Sequence, residues 1–444
     1  MNNDPMARLA AAPMHWRQVA VVALCVALNA LDGFDVLAIS FASPGIAAEW
    51  GIDRAALGVV LSMELFGMAA GSVLIGNVAD RLGRRPVILG CLLVMMAGMF
   101  AAAMADSLTM LSVARLGTGL GIGGMLSSTS AMVAEFSNAR REGMAVSFNI
   151  AGYSTGAILG GLVASALLAG SGQWRSVFVV GGIMTAIMVP FAVLLLPESI
   201  EFLIARRSAN AVGRINATLA KLGHEPIEAL PAPSPRAARP SIAALFAGDY
   251  AGTTVLLTVA YFTQIMLFYY LLKWIPKIVV DMGFTAAQGG EVLVAANVGN
   301  LAGAVLLGLA VQRWSARPLV IGAMLIGVAA IAVFGLGFRD LVQLSIVAAA
   351  AAFFINAGVV GLYPIMARAF PASLRATGTG FVIGIGRGGS ALGPIVVGAL
   401  FVRGFGLMSV SIAMGAGGLV AAAMLILLPL AKGRGAAPAV GQAS

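Results

Sequence analysis

Long apolar stretches recur along the whole chain, separated by short breaks that carry charge or contain Pro and Gly. Each stretch is close to the length of about 20 residues that a helix needs to cross the hydrocarbon core of a bilayer. The alternation of apolar and polar residues typical of a transmembrane strand is not seen in them. The pattern therefore predicts an all-α integral membrane protein. Its twelve predicted spans are 18–41, 55–79, 86–105, 109–133, 143–169, 175–196, 251–275, 286–311, 317–337, 341–366, 376–402 and 408–431.

One long polar interval divides the twelve spans into two sets of six. It runs from 197 to 249 and contains several arginines and the Pro/Ala-rich run from Pro231 to Pro240. This composition is typical of a linker with at most a short surface helix. We therefore expect an N-terminal six-helix half at 1–196, a cytoplasmic linker at 197–249, and a C-terminal half at 250–444 that ends in a short tail.

Composition narrows the class of protein further. Apolar residues make up 60% of the chain and charged residues only 10%, whereas about a quarter of a soluble domain is charged. The net charge of +9 lies mainly in loops between spans, so it does not indicate nucleic-acid binding. The chain has no P-loop and no cluster of metal-ligating residues, and both cysteines lie in apolar runs. We expect no cofactor, no metal and no enzymatic activity.

The distribution of Lys and Arg predicts the orientation in the membrane. Most of the 27 basic residues lie at the two termini and in the loops after spans 2, 4, 6, 8 and 10. This excess predicts that both termini and the linker are cytoplasmic, in a bacterial inner membrane. Six basic residues are assigned to the opposite loops: Arg54, Arg175, Lys273, Lys277, Arg339 and Arg403.

The two halves are related by a weak internal repeat. At an offset of 232 residues, Gly76, Arg81, Arg85, Pro86 and Gly90 match Gly308, Arg313, Arg317, Pro318 and Gly322. A second set, at an offset of 234, matches Phe136, Arg141 and Gly152 with Phe370, Arg375 and Gly386. Paired helical halves place a solute site at their interface near the membrane midplane and work by rocking against each other. The repeat therefore predicts a transporter of two pseudo-symmetric halves.

Two motifs of the first half resemble those of the major facilitator superfamily. The loop Gly76-x-x-x-Asp80-Arg81-x-Gly83-Arg84-Arg85 resembles its signature loop, and Arg115-Leu-Gly-Thr-Gly119-Leu-Gly121 resembles its fourth-helix motif. Orientation by positive charge alone would account for the arginines of the loop, but not for Asp80 or Gly83. The resemblance implies the major facilitator fold, a monomer, and a cytoplasmic gate in which Glu135, with Arg140 and Arg141, is a partner cluster. The predicted gate residues are Gly76, Asp80, Arg81, Gly83, Arg84, Arg85, Glu135, Arg141 and Arg375.

A narrower resemblance is to the aromatic acid:proton symporter family, whose members include 4-hydroxybenzoate and protocatechuate transporters. The segments that resemble it are Asp32-Gly33-Phe34-Asp35, Tyr363-Pro364, Arg375-Ala-Thr-Gly378-Thr-Gly380 and Gly384-Ile-Gly386-Arg387-Gly388-Gly389. This resemblance implies proton-coupled import of a benzoate-type acid. Two alternatives stay open: efflux of a drug or metabolite by proton antiport, and uptake of a non-aromatic organic acid such as muconate.

Ionisable residues within the spans are candidates for proton coupling, because a charge in the hydrocarbon core costs at least about 2.5–3.5 kcal/mol. Asp32 and Asp35 are three residues apart and share one face of the first helix. Their mutual repulsion favours a proton on at least one of them. We expect Arg115 to couple to one of the two, and Glu64 to be a second proton carrier or to reach the outer water. The structural alternative is that Asp35 only pairs with a basic group.

Arg387, about halfway along span 11, is the predicted partner of a substrate carboxylate. Its guanidinium is always charged and matches a carboxylate with two parallel hydrogen bonds. The alternative is a structural salt bridge to a span-1 aspartate. Asn297 and Asn300, which share one face of span 8, and the aromatic residues Tyr363 and Phe34 are further predicted contacts of the substrate.

Overall fold

The computed structural model describes residues 4–231, 241–248, 250–371 and 373–429, and within them all regular structure is helical. Short helices at Pro5–Ala11, Ile200–Arg206 and Ala211–Lys221, and a 3-10 helix at Ile242–Phe246, flank the longer ones. Linker residues 232–240 and the predicted tail at 430–444 lie outside the described residues. The long helices are α1 (Trp16–Trp50), α2 (Arg54–Leu82), α3 (Arg84–Ala103), α4 (Leu108–Glu135), α5 (Glu142–Ser171), α6 (Arg175–Leu195), α7 (Tyr250–Asp281), α8 (Ala286–Ala310), α9 (Ala316–Phe334), α10 (Leu341–Ala369), α11 (Arg375–Val402) and α12 (Leu407–Leu427).

The predicted all-α membrane fold is confirmed. Among the described residues, 11 of the long helices are long and apolar enough to cross a membrane. The remaining long helix is α4, whose 28 residues are rich in Gly, Ser and Thr. It packs within the bundle against α2 and α3.

Helices α1 and α7 extend well beyond the predicted spans, which ended at 41 and 275. Both continue through a proline, Pro44 in α1 and Pro276 in α7. Pro44 has no N–H to donate to the carbonyl of Ser40, and the hydroxyl of Ser43 donates to that carbonyl instead, at 2.8 Å. Neighbouring side chains commonly stabilise such a proline inside a membrane helix in this way. The predicted ends were therefore wrong because a proline was taken as a helix stop.

The two six-helix halves pack in the same pattern. In each half the first helix contacts the fifth and sixth, the second contacts the fourth, and the third contacts the fourth and sixth. Residues of the sequence repeat occupy equivalent places. Arg85, the second residue of α3, donates to the carbonyl of Val193 in α6 at 2.8 Å, and Arg317, the second residue of α9, donates to Ile426 in α12 at 2.7 Å. The pseudo-symmetry predicted from the repeat is present in the fold.

The halves meet mainly through α2 with α11, α5 with α8, and α1 with α7. We call the side of the bundle with the loops after α2, α4, α6, α8 and α10 the N-terminal face, and the other side the opposite face. At the opposite face the contact is close: a Cβ on Gly398 of α11 would lie 2.3 Å from the carbonyl oxygen of Arg54. Arg54 also forms an ion pair with Asp281 at 2.9 Å.

Polar contacts join the halves at the centre of the bundle and nearer the opposite face. They include Arg54 with Asp281, Lys273 with Val36 and Glu64, and Arg387 with Met68. With the close approach of Gly398 to Arg54, these contacts hold the halves together at the opposite face.

Gly156→Ala should destabilise the N-terminal half. Its Cβ would lie 1.8 Å from the main-chain oxygen of Ala30 in α1, so α1 and α5 would have to separate. Overpacking of this kind typically costs about 1–3 kcal/mol. The measurement is the thermal denaturation midpoint of the purified protein in detergent. Gly170→Ala, also in α5, is the control because its Cβ would meet no atom within 4 Å. Equal midpoints for the two variants would contradict the expected clash.

Candidate functional site

A buried ion cluster joins the two halves. The carboxylate of Glu64 in α2 lies between the guanidinium of Arg115 in α4, with which it forms an ion pair, and the ammonium of Lys273 in α7, at 3.2 Å. All three side chains have a relative exposure of 0%. Glu64 and Arg115 belong to the N-terminal half and Lys273 belongs to the C-terminal half. The cluster is therefore an electrostatic link across the interface at which a solute site is expected.

Lys273 corrects the assignment made from the sequence. It was counted among the loop residues, but α7 continues for eight residues beyond it, to Asp281. Its ammonium also donates to the main-chain carbonyl of Val36 in α1. The apolar residues Ile278, Val279 and Val280 that follow were the signal that the helix continues.

Arg115 is fully buried and contacts α1 through the main chain. Its guanidinium donates to the carbonyl oxygen of Asp35 at 2.7 Å and to the sulfur of Met99 at 3.1 Å, and it lies 5.4 Å from the ring centre of Phe178. The coupling expected to a span-1 aspartate is thus a contact with the main chain of Asp35, while the ion pair is with Glu64. Glu64 does not reach the outer water, because its side chain is fully buried.

Asp32 and Asp35 lie halfway along α1, and both are buried. None of their four carboxyl oxygens accepts a hydrogen bond from a described residue. The structural alternative, an ion pair between Asp35 and a basic side chain, is not formed in the described part of the chain. In that same part, no group of three or more His, Cys, Asp or Glu residues is placed to hold a metal ion. Both carboxyl groups are therefore available for another role.

Arg387 lies at the middle of α11, partly buried at the interface between the halves. Its guanidinium donates to the carbonyl of Met68 in α2 at 3.4 Å. It forms no ion pair with any described residue, so the alternative of a salt bridge to an α1 aspartate is not seen. Arg387 is thus a cation between the halves without a paired carboxylate.

Tyrosine side chains from three helices surround this region. The ring of Tyr261 in α7 packs against Gly386, the residue before Arg387, where a Cβ would lie 2.1 Å from the ring. The hydroxyl of Tyr363 in α10 is 3.2 Å from that of Tyr261, and Tyr153 of α5 interacts with Tyr269. Aromatic rings that carry hydroxyl groups therefore lie in the same region as Arg387, an arrangement suited to an aromatic anion. Tyr153, Tyr269 and Tyr363 were candidate ring contacts from the sequence, whereas Tyr261 was not.

The other predicted substrate contacts lie elsewhere in the same bundle. Asn297 and Asn300 share a buried face of α8, and the amide of Asn300 donates to the side-chain oxygen of Asn297 at 3.4 Å. Asn356 of α10 donates to the main-chain oxygen of Asn300 at 2.8 Å. The ring of Phe34 packs against Gly160 of α5 and lies near Gly181 of α6. Phe34 thus fills a contact between helices of the N-terminal half.

The conformation of the signature loop at the N-terminal face depends on Gly83 and on Glu198. Gly83 was a predicted gate residue, whereas the sequence did not single out Glu198. Gly83 links α2 to α3 with φ of 106°, a conformation that favours glycine, and a Cβ there would lie 2.5 Å from the Glu198 carboxylate. That carboxylate accepts the N–H groups of Arg84 and Arg85 at 2.9 and 3.2 Å. It therefore caps the start of α3. The signal was Pro197-Glu198-Ser199 directly after the sixth span.

Glu135, at the end of α4, lies at the face of the predicted gate and also stabilises the start of a linker helix. Its carboxylate accepts the hydroxyl of Ser199 at 2.6 Å and the N–H of Glu201 at 2.9 Å, so it caps the helix Ile200–Arg206. Arg141, of the same predicted cluster, precedes α5, and its main-chain N–H donates to the side-chain oxygen of Asn138 at 3.0 Å. The remaining predicted gate residues lie at the same face: Gly76, Asp80 and Arg81 in the last turns of α2, and Arg375 at the start of α11.

Comparisons with known proteins agree with this architecture. A sequence model of the Major Facilitator Superfamily matches residues 23–290. The 4-hydroxybenzoate transporter PcaK of Pseudomonas putida is 32% identical over 399 residues, covering 88% of this chain and 86% of that protein. The gallate transporter of Pseudomonas putida is 30% identical over 406 residues, covering 89% and 88%.

Solved structures show the same fold. The inward-open conformation of the xylose transporter XylE from E. coli superposes with a TM-score of 0.72 at 18% identity, covering 94% of this chain and 98% of that chain. The family model matches more than half of the chain, the relatives align over most of it, and the fold has two pseudo-symmetric halves. The chain therefore belongs to the major facilitator superfamily of membrane transporters and is not an enzyme.

Proposed function

We propose that the protein imports an aromatic carboxylate together with protons, by alternating access. The observation that carries the proposal is Arg387, a cation between the two halves. It has no paired carboxylate among the described residues, and the ring of Tyr261 packs against its neighbour Gly386. An aromatic acid supplies both missing partners, an anion for the guanidinium and a ring for the aromatic side chains. The relatives named above as transporters of 4-hydroxybenzoate and gallate support this substrate class.

In this proposal the carboxylate of the substrate accepts two parallel hydrogen bonds from Arg387. Tyr153, Tyr261, Tyr269 and Tyr363 border the ring, and their hydroxyls are able to bond to ring substituents. Asn297, Asn300 and Phe34 remain predicted contacts that a change of conformation would have to bring to the substrate.

Asp32 and Asp35 are the proposed proton carriers, with Glu64, Arg115 and the newly found Lys273 as their electrostatic surroundings. Neither aspartate carboxyl accepts a hydrogen bond from the described residues, so each is free to take up a proton when water reaches it. Binding of the substrate anion adds negative charge near the cluster, which favours proton uptake by a nearby carboxylate. This interaction would couple the two solutes.

The access cycle is proposed from the interface between the halves. Because basic residues are concentrated at the N-terminal face, we propose that this face is cytoplasmic and the membrane is the bacterial inner membrane. The structure then corresponds to a state closed to the outside. Opening to the outside would require separating Arg54 from Asp281 and loosening the contact between Lys273 and Glu64.

The test is uptake by purified protein in sealed liposomes with an imposed inward proton gradient. Labelled 4-hydroxybenzoate should accumulate, an uncoupler should abolish the accumulation, and unlabelled benzoate, gallate and protocatechuate should compete. Muconate is included as a non-aromatic competitor. Competition by muconate but by none of the aromatic acids, or accumulation that is insensitive to the uncoupler, would overturn the proposal. Accumulation only with an outward-directed gradient would favour efflux instead.

Arg387→Lys should weaken the apparent affinity for the acid by about tenfold or more. An ammonium group keeps the charge but loses one of two parallel charge-assisted hydrogen bonds, each worth about 1.5–3 kcal/mol. The measurement is KM for gradient-driven uptake. Arg368→Lys, at an exposed position of α10, is the control and should leave KM unchanged. An unchanged KM in Arg387→Lys would argue against the carboxylate clamp.

A further inference from the structure

A cavity of about 460 Å³ lies at the N-terminal face, outside the interface between the halves. It is enclosed by the start of α1, the start of α3, the end of α6 and the linker helix Ala211–Lys221. These elements belong to the N-terminal half and the linker. The proposed substrate and proton sites lie elsewhere, and Arg85 is the residue of the predicted gate that lines this cavity.

The lining is strongly cationic. Arg17, Arg85, Arg214 and Lys221 all contribute to it, and Glu198 is its acidic residue. The Glu198 carboxylate already accepts the N–H groups that start α3, and it lies 3.8 Å from the guanidinium of Arg214. Four cations thus face one carboxylate whose oxygens are occupied, which leaves an excess of positive charge in the cavity.

Several of these cations have donors to spare. The Nε of Arg85 is buried and has no acceptor among the described residues. Arg17 uses one Nη to donate to the carbonyl of Lys221 at 3.0 Å. Arg214 and Lys221 are seven residues apart, so they project from the same side of the linker helix. The cavity therefore presents convergent donors to an anion with several oxygens, such as a phosphate group.

One wall of the cavity is apolar and exposed at the edge of the membrane-spanning region. Leu194, in the last turn of α6, is 80% exposed, and Trp16, the first residue of α1, is 63% exposed. An exposed Trp at the end of a span is typical of the interface between lipid and water. Basic pockets between helices at the cytoplasmic side are suited to anionic lipid headgroups.

We propose that this cavity binds the headgroup of an anionic phospholipid. The phosphate lies among Arg17, Arg85, Arg214 and Lys221, and an acyl chain runs along Leu194 and Leu195 into the membrane. A free anion would use the same cations but would have no use for the apolar wall. The lipid would hold the linker helix against α1, α3 and α6, because the four cations come from both the linker and the bundle.

The test is lipid binding to the detergent-purified full chain, followed by native mass spectrometry. Wild-type protein is titrated with phosphatidylglycerol, with phosphatidylcholine of the same acyl chains, and with inorganic phosphate. The double variant Arg214→Gln/Lys221→Gln removes two exposed cations of the cavity. The matched control Arg313→Gln/Arg368→Gln removes two exposed cations from the C-terminal half at the same face.

Phosphatidylglycerol should bind to wild type and control with equal affinity, and about tenfold more weakly to the double variant. Phosphatidylcholine should bind weakly to all three. A second variant, Ala217→Trp, fills the cavity without changing its charge and should also weaken binding. Equal binding of phosphatidylglycerol to all variants would overturn the proposal. The cavity would be reassigned to a soluble anion by one further result. In that result inorganic phosphate displaces the lipid one for one, at a phosphate concentration near the dissociation constant of phosphate for the cavity.

Discussion

Glu64→Gln should be among the most damaging single substitutions in this protein, lowering the free energy of unfolding by about 3–5 kcal/mol. The Glu64 carboxylate is paired with two cations, Arg115 and Lys273, and all three side chains are fully buried. An amide in its place would leave two positive charges facing each other in a region of low dielectric constant. The folded state would lose the attraction of both cations to Glu64 and would gain the repulsion between Arg115 and Lys273.

Lys273→Met supplies the matched comparison. It removes one cation but leaves Glu64 paired with Arg115, so its cost should be smaller than that of Glu64→Gln. The double variant Glu64→Gln/Lys273→Met should be more stable than Glu64→Gln alone, because one of the two unpaired cations is gone. The measurement is the denaturation midpoint in detergent for all three variants. A double variant that is less stable than Glu64→Gln would show that the ion cluster does not behave as one unit.

Asp32→Asn and Asp35→Asn should each abolish proton-driven accumulation of the acid, with a loss of about tenfold or more in its steady-state level. A carboxamide has the shape of a carboxyl group but does not take up and release a proton. Because neither carboxyl of the native protein accepts a hydrogen bond from a described residue, the amides break no existing contact. Both variants should therefore insert and fold.

Exchange of labelled for unlabelled acid without a gradient distinguishes loss of coupling from loss of binding. Both aspartate variants should retain exchange while losing accumulation. Asp106→Asn, at an exposed loop position, is the control and should match wild type in both assays. Wild-type accumulation in Asp32→Asn and in Asp35→Asn would rule out the α1 aspartates as the coupling site.

The sequence predicted the location of a site residue correctly where that location depends only on the residue's position along its own helix. Arg387 was placed halfway along span 11, and it lies at the middle of α11. Asp32 and Asp35 were placed on one face of the first span, and both are buried together. Lys273 was counted with the loop residues because it stood two residues from the end of its predicted span, 251–275. Its helix in fact continues through Pro276 to Asp281, although a proline usually marks a helix end in a sequence. That single difference in length turns a loop cation into a buried ion-pair partner.

The sequence predicted which charged side chains are buried in the bundle better than it predicted the groups with which they pair. Arg115 was expected to couple to an α1 aspartate, yet its carboxylate partner is Glu64 and its contact with α1 is a main-chain carbonyl. Glu135 was predicted as part of a gate cluster with Arg140 and Arg141, and the structure adds that it caps the linker helix Ile200–Arg206. Several acceptors lie within reach of the Arg115 guanidinium, and several donors lie within reach of the Glu135 carboxylate. Which of them is used depends on how the helices rotate against each other.

By itself, the sequence determined the helical membrane class, the two related halves and the family motifs, because these follow from local hydropathy and from spacing along the chain. Only the tertiary structure decided that Glu64 is shared between Arg115 and Lys273 and that Glu198 caps α3. It also decided that Arg387 pairs with no carboxylate in the described part of the chain. The physical reason is that apolar periodicity sets which residues enter the membrane, whereas pairing depends on the packing of helices that are distant in the chain.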